Sequence, residues 1–474
     1  MPNDIVLVPG RFAVIHPGHV RLFRYAASLC QEVVVALDAT GIDVEEIAWR
    51  VGALEGIPYV NKVVRTSDRL GQVIEEFKPK FVLRGLEFRD KEFPESEILK
   101  RFGGKLVFSS GNYLFNAEDL IPLTSVQPEK FWKLANDYVL RNSLSEKKVN
   151  DWISNFSGKK VLVVGDSIVD EIIMCHPLGM SQEEPSIVVS PIEEKRFVGG
   201  AAIVASHTAG LGAETSFVSV SGNDSAGEWV AKALGSAGVE TRMFCDDLRK
   251  TTLKRRYRTG RQTLFRLTEL TTETINQDFQ ERVYKSIANE IVNLDAIIFS
   301  DFSYGMFDDE FTKSLISLAK RNSVFTSADS QSSSQIGNLS KFRGVDLVTP
   351  TEREARQELR DERSGIVQIA EGIQKKLDCK IVLLKLGSDG VLLHGIDSMG
   401  GVLRTDRIPA LNSSPIDVSG AGDSLLASST LALISGADIY GTTLIGSIAA
   451  AIQVSRVGNT PIQIEELRRE VIAT

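Results

Sequence analysis

The sequence predicts an α/β protein of two doubly wound domains, the second carrying a small β-lid. Three observations lead there. The chain has 474 residues, more than one ordinary hydrophobic core accommodates. Short apolar runs alternate with helix-patterned stretches almost throughout, the mark of parallel strands covered by crossover helices. Between 184 and 270 that texture gives way to β-like runs.

In chain order, "IVLVP" (5–9), "EVVVAL" (32–37), "KFVLRG" (80–85) and "KLVFSS" (105–110) read as buried strands of a first unit over 1–125. Residues 126–158 place Phe131, Leu134, Tyr138 and Val139 at helical spacing among many charges. That predicts a helical linker running into the entry helix of the next domain, with a partner-binding helix as the other reading. The second unit, 159–474, holds "VLVVGD" (161–166), "AIIFSD" (296–301), "DLVTP" (346–350) and "KIVLLKLG" (380–387). Inside it "PSIVVS", "TSFVSVSG" and "TLKRRYRTGRQTLFRL" supply the lid. "SQSSSQ" (330–335) reads as a loop.

Hydrophobic residues make up 43% and charged residues 24%, and the net charge of −8 is dispersed. Without a basic face the chain is not expected to bind nucleic acid. Cys30, Cys175, Cys245 and Cys379 form no C-x-x-C pair, which predicts reduced thiols. The start, "MPNDIVLVPG", reads as a strand rather than a signal peptide. No apolar run approaches the roughly 20 residues that cross a bilayer. The expected location is cytoplasmic, with no membrane partner.

The most informative stretch is "DVSGAGDSLLASSTLAL" (417–433). Gly420, Ala421 and Gly422 precede a long apolar helix, whose first N–H groups and dipole make an anion hole. Asp423 sits inside it. A carboxylate repels phosphate, so it needs another task there. Accepting a proton from an attacking hydroxyl is one, and capping the helix is the bland rival. At the other end of the chain, "GRFAVIHPGH" (10–19) follows a strand. His16 and His19 lie one turn apart, so both rings face one spot, where imidazoles can donate to a phosphoryl transition state. Zinc would need two further ligands, and only Cys30 lies near in sequence.

The motifs "VVGDSIVDE", "VGGAAIVASHTAGLGA", "FSDFSYG", "LVTPTEREA", "LLKLGSDG" and "DVSGAGDS" occur in this order over about 160–465. In them the second unit resembles the ribokinase-like family of sugar kinases. The resemblance implies Asp423 as catalytic base and Gly420, Ala421 and Gly422 as anion hole. It implies Asp170 and the Gly199–Gly200 turn at the sugar hydroxyls, Glu354 organising Mg²⁺ through water, and Lys385, Gly387, Ser388 and Gly390 lining the ATP site. Lys254, Arg256 and Arg266 are candidates for a substrate phosphate, each with a solvated strand face as the rival. "FSGKKVLVVGDSIVDE", "EEPSIVV" and "GGAAIVA" resemble the heptose-7-phosphate kinases of ADP-heptose synthesis. Two positions depart from the family pattern: Ile203 and Thr351 stand where asparagines are usual.

The first unit resembles the nucleotidyltransferase superfamily, whose domain is Rossmann-like. That implies catalytic roles for His16 and His19 and nucleotide contacts from Gly10, Phe12, Asp38 and Arg84. Here the motif's aspartate is Ala13, the loop after Asp38 carries no lysine, and the usual Lys-Gly-Gly-Asp reads Arg84-Gly85-Leu86-Glu87. Two readings of this corner stand: nucleotidyl transfer, or nucleotide binding alone. In ADP-heptose synthesis a related adenylyltransferase is fused after the kinase, the reverse of the order here. The expectation is a bifunctional enzyme that makes a sugar 1-phosphate from a sugar phosphate and ATP, then joins it to a nucleotide. Its alternatives are a kinase with a degenerate first domain and a non-catalytic nucleotide- or sugar-binding regulator. The lid of such kinases often pairs between subunits, which implies a homodimer.

Overall fold

The computed structural model describes residues 2–471 apart from 14, 16, 67–69, 86–92, 110–129, 182, 185, 261, 333–334, 336 and 398–400. The chain divides into two compact units, Met1–Pro128 and Glu129–Thr474.

In the first unit β1 (Asn3–Gly10), β2 (Glu32–Asp38), β3 (Lys62–Thr66), β4 (Pro79–Gly85) and β5 (Lys105–Ser109) form a parallel sheet in the order β3-β2-β1-β4-β5. That is the dinucleotide-fold order, with its reversal at β1, where open α/β sheets bind ligands. Strand side chains alternate between two cores. Val6, Val8, Val33 and Val35 enter one, and Ile5, Leu7, Val34 and Ala36 the other, as a period of two dictates.

The second unit has two sheets. Its strands are β6 (Lys160–Gly165), β7 (Ser167–Met180), β8 (Ile187–Gly200), β9 (Glu214–Gly222), β10 (Glu240–Asp246), β11 (Thr252–Thr259), β12 (Gln262–Glu269), β13 (Ala296–Asp301), β14 (Phe325–Ser330), β15 (Leu347–Val348), β16 (Ile381–Lys385), β17 (Val391–Ile396) and β18 (Leu403–Ile408). The larger sheet runs β10-β9-β6-β13-β14-β15-β16-β17-β18 and turns antiparallel only at β17 and β18. Val161 and Val163 face one core, Leu162 and Val164 the other. The smaller sheet, β12-β11-β7-β8, is the expected lid.

The expected linker over 126–158 does not behave as one. Its described part forms the helices Phe131–Leu134, Asn136–Arg141 and Glu146–Ser154. They bury Trp132, Tyr138, Val149, Ile153 and Phe156 in the core of the second unit. The charges that suggested a linker lie on the outer face. Among the described residues no helix is long and apolar enough to cross a membrane. All four cysteines are free, and Cys245 alone is exposed.

Candidate active site and relatives

The helix Ala421–Ile434 starts where the chain leaves Gly420 at φ +77°. No side chain caps this end, and Ser424 N–H is the first to reach back, to the Gly420 carbonyl at 3.0 Å. The amides of 421–423 therefore keep the orientation of an unsatisfied helix terminus. A Cβ at Gly420 would stand 2.6 Å from Asn459 Oδ1, so closeness as well as backbone angle requires glycine there.

Asp423 is third in that helix, and its carboxylate does not cap it. Oδ1 accepts from Gln331 Nε2 at 2.7 Å, which removes the capping rival. The residue is 6% exposed. Burial, then the Asp329 carboxylate, push its pKa up to about 7, against the pull of Lys385 and the Gln331 hydrogen bond. A base titrating there changes protonation state near neutrality. Asp329, buried at the end of β14, is raised to about 6 by desolvation in spite of Lys385, whose Nζ lies 2.8 Å away.

Asp170 on β7 stands on the lid side. Burial raises its pKa, while Arg256 and Lys254 oppose the rise. Arg256 Nη2 donates to Asp170 Oδ1 at 3.4 Å and Nη1 to Ser419 Oγ at 3.4 Å. Lys254 Nζ lies 5.3 and 5.1 Å from the ring centres of Phe302 and Tyr304. Strand alternation puts Lys254 and Arg256 on the Asp170 side and sends Arg255 the other way, to Glu171 and Glu269. The solvated-face reading therefore fails for Lys254 and Arg256. Arg266 lies directly across the strands from Arg256, and its charge lowers the Asp170 pKa. Gly199 fits because a Cβ there would collide with Asp170 Oδ2, and Gly200 turns at φ +60° into the next helix. Ile203 is fully buried in the core.

A cleft of about 590 Å³ is lined by Thr351, Arg353, Arg356, Lys385 and Gly387, among others. Lys385 and Gly387, expected at the nucleotide, are both on the wall of this cleft. Ser388 is exposed in the following turn. Gly390, expected at the nucleotide, instead closes the β16–β17 hairpin, and a Cβ on it would collide with the Ile408 carbonyl. Glu354 accepts from the backbone N–H of Ser332 and of Thr351, both at 2.8 Å, while Thr351 Oγ1 caps the helix Glu352–Leu359. Thr351 thus serves the turn as a cap.

Sequence reasoning missed Asp329, Gln331, Asn459 and Asp166. Asp329 had little signal: its strand reads Phe-Thr-Ser-Ala-Asp-Ser, mostly polar, unlike the apolar runs that mark the neighbouring strands. Asp166 accepts N–H bonds from Phe302, Tyr304 and Met306 at 2.8, 3.3 and 3.2 Å. It thereby fixes the loop whose rings lie under Lys254.

In the first unit, β1 ends at Gly10 and β2 at Asp38. Asp38 accepts from Thr40 N–H at 3.0 Å and lies 3.6 Å from Arg11. The Arg11 guanidinium also donates to the Thr40 carbonyl, and Arg50 to the Arg11 carbonyl and Glu46. Phe12, expected at the nucleotide, is buried in the core against Phe23 and the His19 ring, centroids 5.4 and 5.1 Å apart. It shapes the corner from within the core. Arg84 ends near the Phe93 ring. His16 lies outside the described residues.

The family model for pfkB family carbohydrate kinases matches residues 159–466. The chain belongs to that family. Its second unit has the ribokinase-like fold and its first a Rossmann-like parallel sheet. Arabidopsis thaliana ribokinase, solved with ribose and ATP, superposes with a TM-score of 0.53 at 20% identity, over 66% of this chain and 99% of that one. Escherichia coli phosphofructokinase-2, solved with substrates and products, gives 0.54 at 16%, over 66% and 98%. The bifunctional protein HldE of Bradyrhizobium diazoefficiens is 29% identical over 67% of this chain and 63% of its own length. That of Helicobacter hepaticus is 30% identical, over 63% and 61%. The chain thus spans about three fifths of the length of these curated relatives.

In the kinase unit, Arg256→Gln is expected to raise KM for the sugar substrate about ten- to a hundredfold, the range for losing one charged hydrogen bond. A small change in kcat should accompany it. Steady-state kinetics with the sugar substrate checks this, and a loss confined to kcat would remove Arg256 from substrate binding.

Proposed function

We propose that the chain phosphorylates the anomeric hydroxyl of a sugar phosphate, a heptose 7-phosphate, using ATP. Its first unit then joins the sugar 1-phosphate to a nucleotide, giving a nucleotide sugar such as ADP-heptose. One observation carries the kinase half. Asp423 is buried at an uncapped glycine turn, close enough to feel both Asp170, which carries Arg256 and Lys254, and Lys385, which borders an open cleft. A hydroxyl held by Asp170 loses its proton to Asp423, while Arg256 and Lys254 hold the substrate's own phosphate. The 421–423 amides face the charge that builds on the transferring group. The relatives named HldE are called bifunctional, which supports a second activity beside the kinase.

Among the described residues no cluster of three His, Cys, Asp or Glu side chains could cage a metal. The arrangement suits Mg²⁺ brought in on nucleotide phosphates and met through water by Glu354. When bound, the metal would neutralise phosphate charge. The exposed apolar side chains of the lid, Leu178, Met180, Ile187 and Phe265 among them, support pairing as a homodimer. A cytoplasmic location accords with the free thiols.

The test has two arms. Heptose 7-phosphate with ATP and Mg²⁺ should release ADP. The product with ATP, CTP, GTP or UTP should then release pyrophosphate, and His16→Ala with His19→Ala should abolish that release. ADP without pyrophosphate from any nucleotide would leave a kinase with a degenerate first domain. Neither product would leave a binding protein.

A further inference from the structure

Lys385 was expected only to line the nucleotide site, yet its side chain goes further. It leaves the end of β16 and is 13% exposed. Its ammonium donates to Asp329 Oδ2 and Oδ1 at 2.8 and 3.1 Å. A Cβ built on Gly422 would stand 3.0 Å from Nζ, so the ammonium lies against the last glycine of the anion hole. Its charge is also felt at Asp423, and the Glu354 and Asp423 carboxylates act on it in return. The stem forms part of the wall of the open cleft. One cation therefore touches the cradle, neighbours the base and borders the cleft. An ammonium has three donors and a carboxylate takes at most two of them, so Asp329 alone does not exhaust it.

Resting on the kinase reading, we infer that Lys385 is a catalytic residue whose ammonium binds the transferring phosphoryl group. It complements the glycine-turn amides with a full charge. In the step, the sugar oxygen forms a bond to the γ-phosphorus and its proton goes to the Asp423 carboxylate. The bond from that phosphorus to the β,γ-bridging oxygen breaks, and ADP leaves with the electron pair. Lys385 stays protonated throughout. Asp329 holds the ammonium in place, and Gly422 has no Cβ because a side chain would fill the space between ammonium and phosphoryl oxygen.

The rival role is a counter-ion for Asp329 and nothing more. A double variant separates the two. Lys385→Met should lower kcat about 10²- to 10³-fold, as for loss of one preorganised donor to the reacting group, with KM for the sugar phosphate within about threefold. Lys385→Met with Asp329→Asn, which leaves no unpaired buried charge, should stay as slow. Titration calorimetry of Lys385→Met should show ATP binding weakened at least about fivefold and ADP binding unchanged, because only ATP carries the group Lys385 meets. Recovery of the wild-type rate in the double variant, or equal changes for ATP and ADP, would overturn the assignment. Where the single variant does not fold, the neutral pair serves for both measurements. The kinase reading fails separately: wild-type protein would release no ADP with any sugar phosphate, while the ATP-against-ADP comparison would still report on Lys385.

Discussion

Asp423→Asn is expected to abolish ADP release to within about 10²- to 10⁴-fold of the wild-type rate, the range for removing a positioned general base, with ATP binding retained. The amide keeps the shape of the carboxyl and can still accept from Gln331, so the cradle should survive while the proton acceptor is lost. The pH dependence gives an independent check. The base works ionised, and its pKa in the free enzyme is about 7. The kcat/KM profile should therefore climb tenfold per pH unit below 7 and level off above it. The groups that set this value are Asp329 on β14 and Asp170 on β7, which raise it, and Lys385 on β16 and Gln331 after β14, which lower it. The stability consequence has the opposite sign. A carboxyl whose folded pKa lies above the unfolded 3.8 binds more protons in the native state between about pH 4 and 7. Native stability therefore falls as pH rises through that window. Asp423→Asn should be more stable than wild type at pH 8, by a few kcal/mol at most, and near equal at pH 4. Paired melting curves at the two pH values measure it. A variant that is inactive and also less stable at pH 8 would mark Asp423 as a structural group.

Much of this site was legible because its chemistry is carried by local patterns. Gly420 to Asp423 is a contiguous string, and the conformation of Gly420 and the bare helix start follow from it. The strands were legible because buried parallel strands read as runs such as "VLVV" and "AIIF". Contacts across the sheet were not. Lys385 and Asp329 lie 56 residues apart, and only the adjacency of β14, β15 and β16 brings them together. Gln331 sat in a serine-rich patch that reads as a loop. Asn459 lies in a turn near the C-terminus and meets Asp170 across 289 residues. Arg256 was ambiguous because Lys254, Arg255 and Arg256 are consecutive, so both faces of the strand carry cations and the sequence does not say which is covered. Phe12 misled for a different reason: a motif position implies a ligand contact, while its burial depends on Phe23 and His19 one helix away.

Deleting residues 129–158 is expected to prevent the kinase unit from folding, although the family match begins only at 159. The segment is covered by the C-terminal helices. Phe131 N–H donates to Glu470 at 3.1 Å and Tyr138 OH to the Tyr440 carbonyl at 3.2 Å. Lys148 pairs with Asp438 at 2.8 Å, and Asp438 in turn caps the helix Ile439–Val454. Trp152 packs so closely over that helix that a Cβ at Gly441 would collide with its ring. Burying a large apolar side chain contributes roughly 1.5–3 kcal/mol. Trp132, Tyr138, Val149, Trp152, Ile153 and Phe156 together therefore match or exceed the 5–15 kcal/mol by which typical proteins are stable. A chain starting at 129 should melt cooperatively and keep its ADP-releasing activity, whereas one starting at 159 should be insoluble or melt without a transition. Trp152→Ala gives the graded version, a loss of about 3–5 kcal/mol for a large buried aromatic, read as a lowered denaturant midpoint. A fragment from 159 with the stability of the 129 fragment would show that these helices rest on the core without holding it. The close fit of Trp152 over Gly441 argues otherwise, because removing that ring strips packing from the Ile439–Val454 helix.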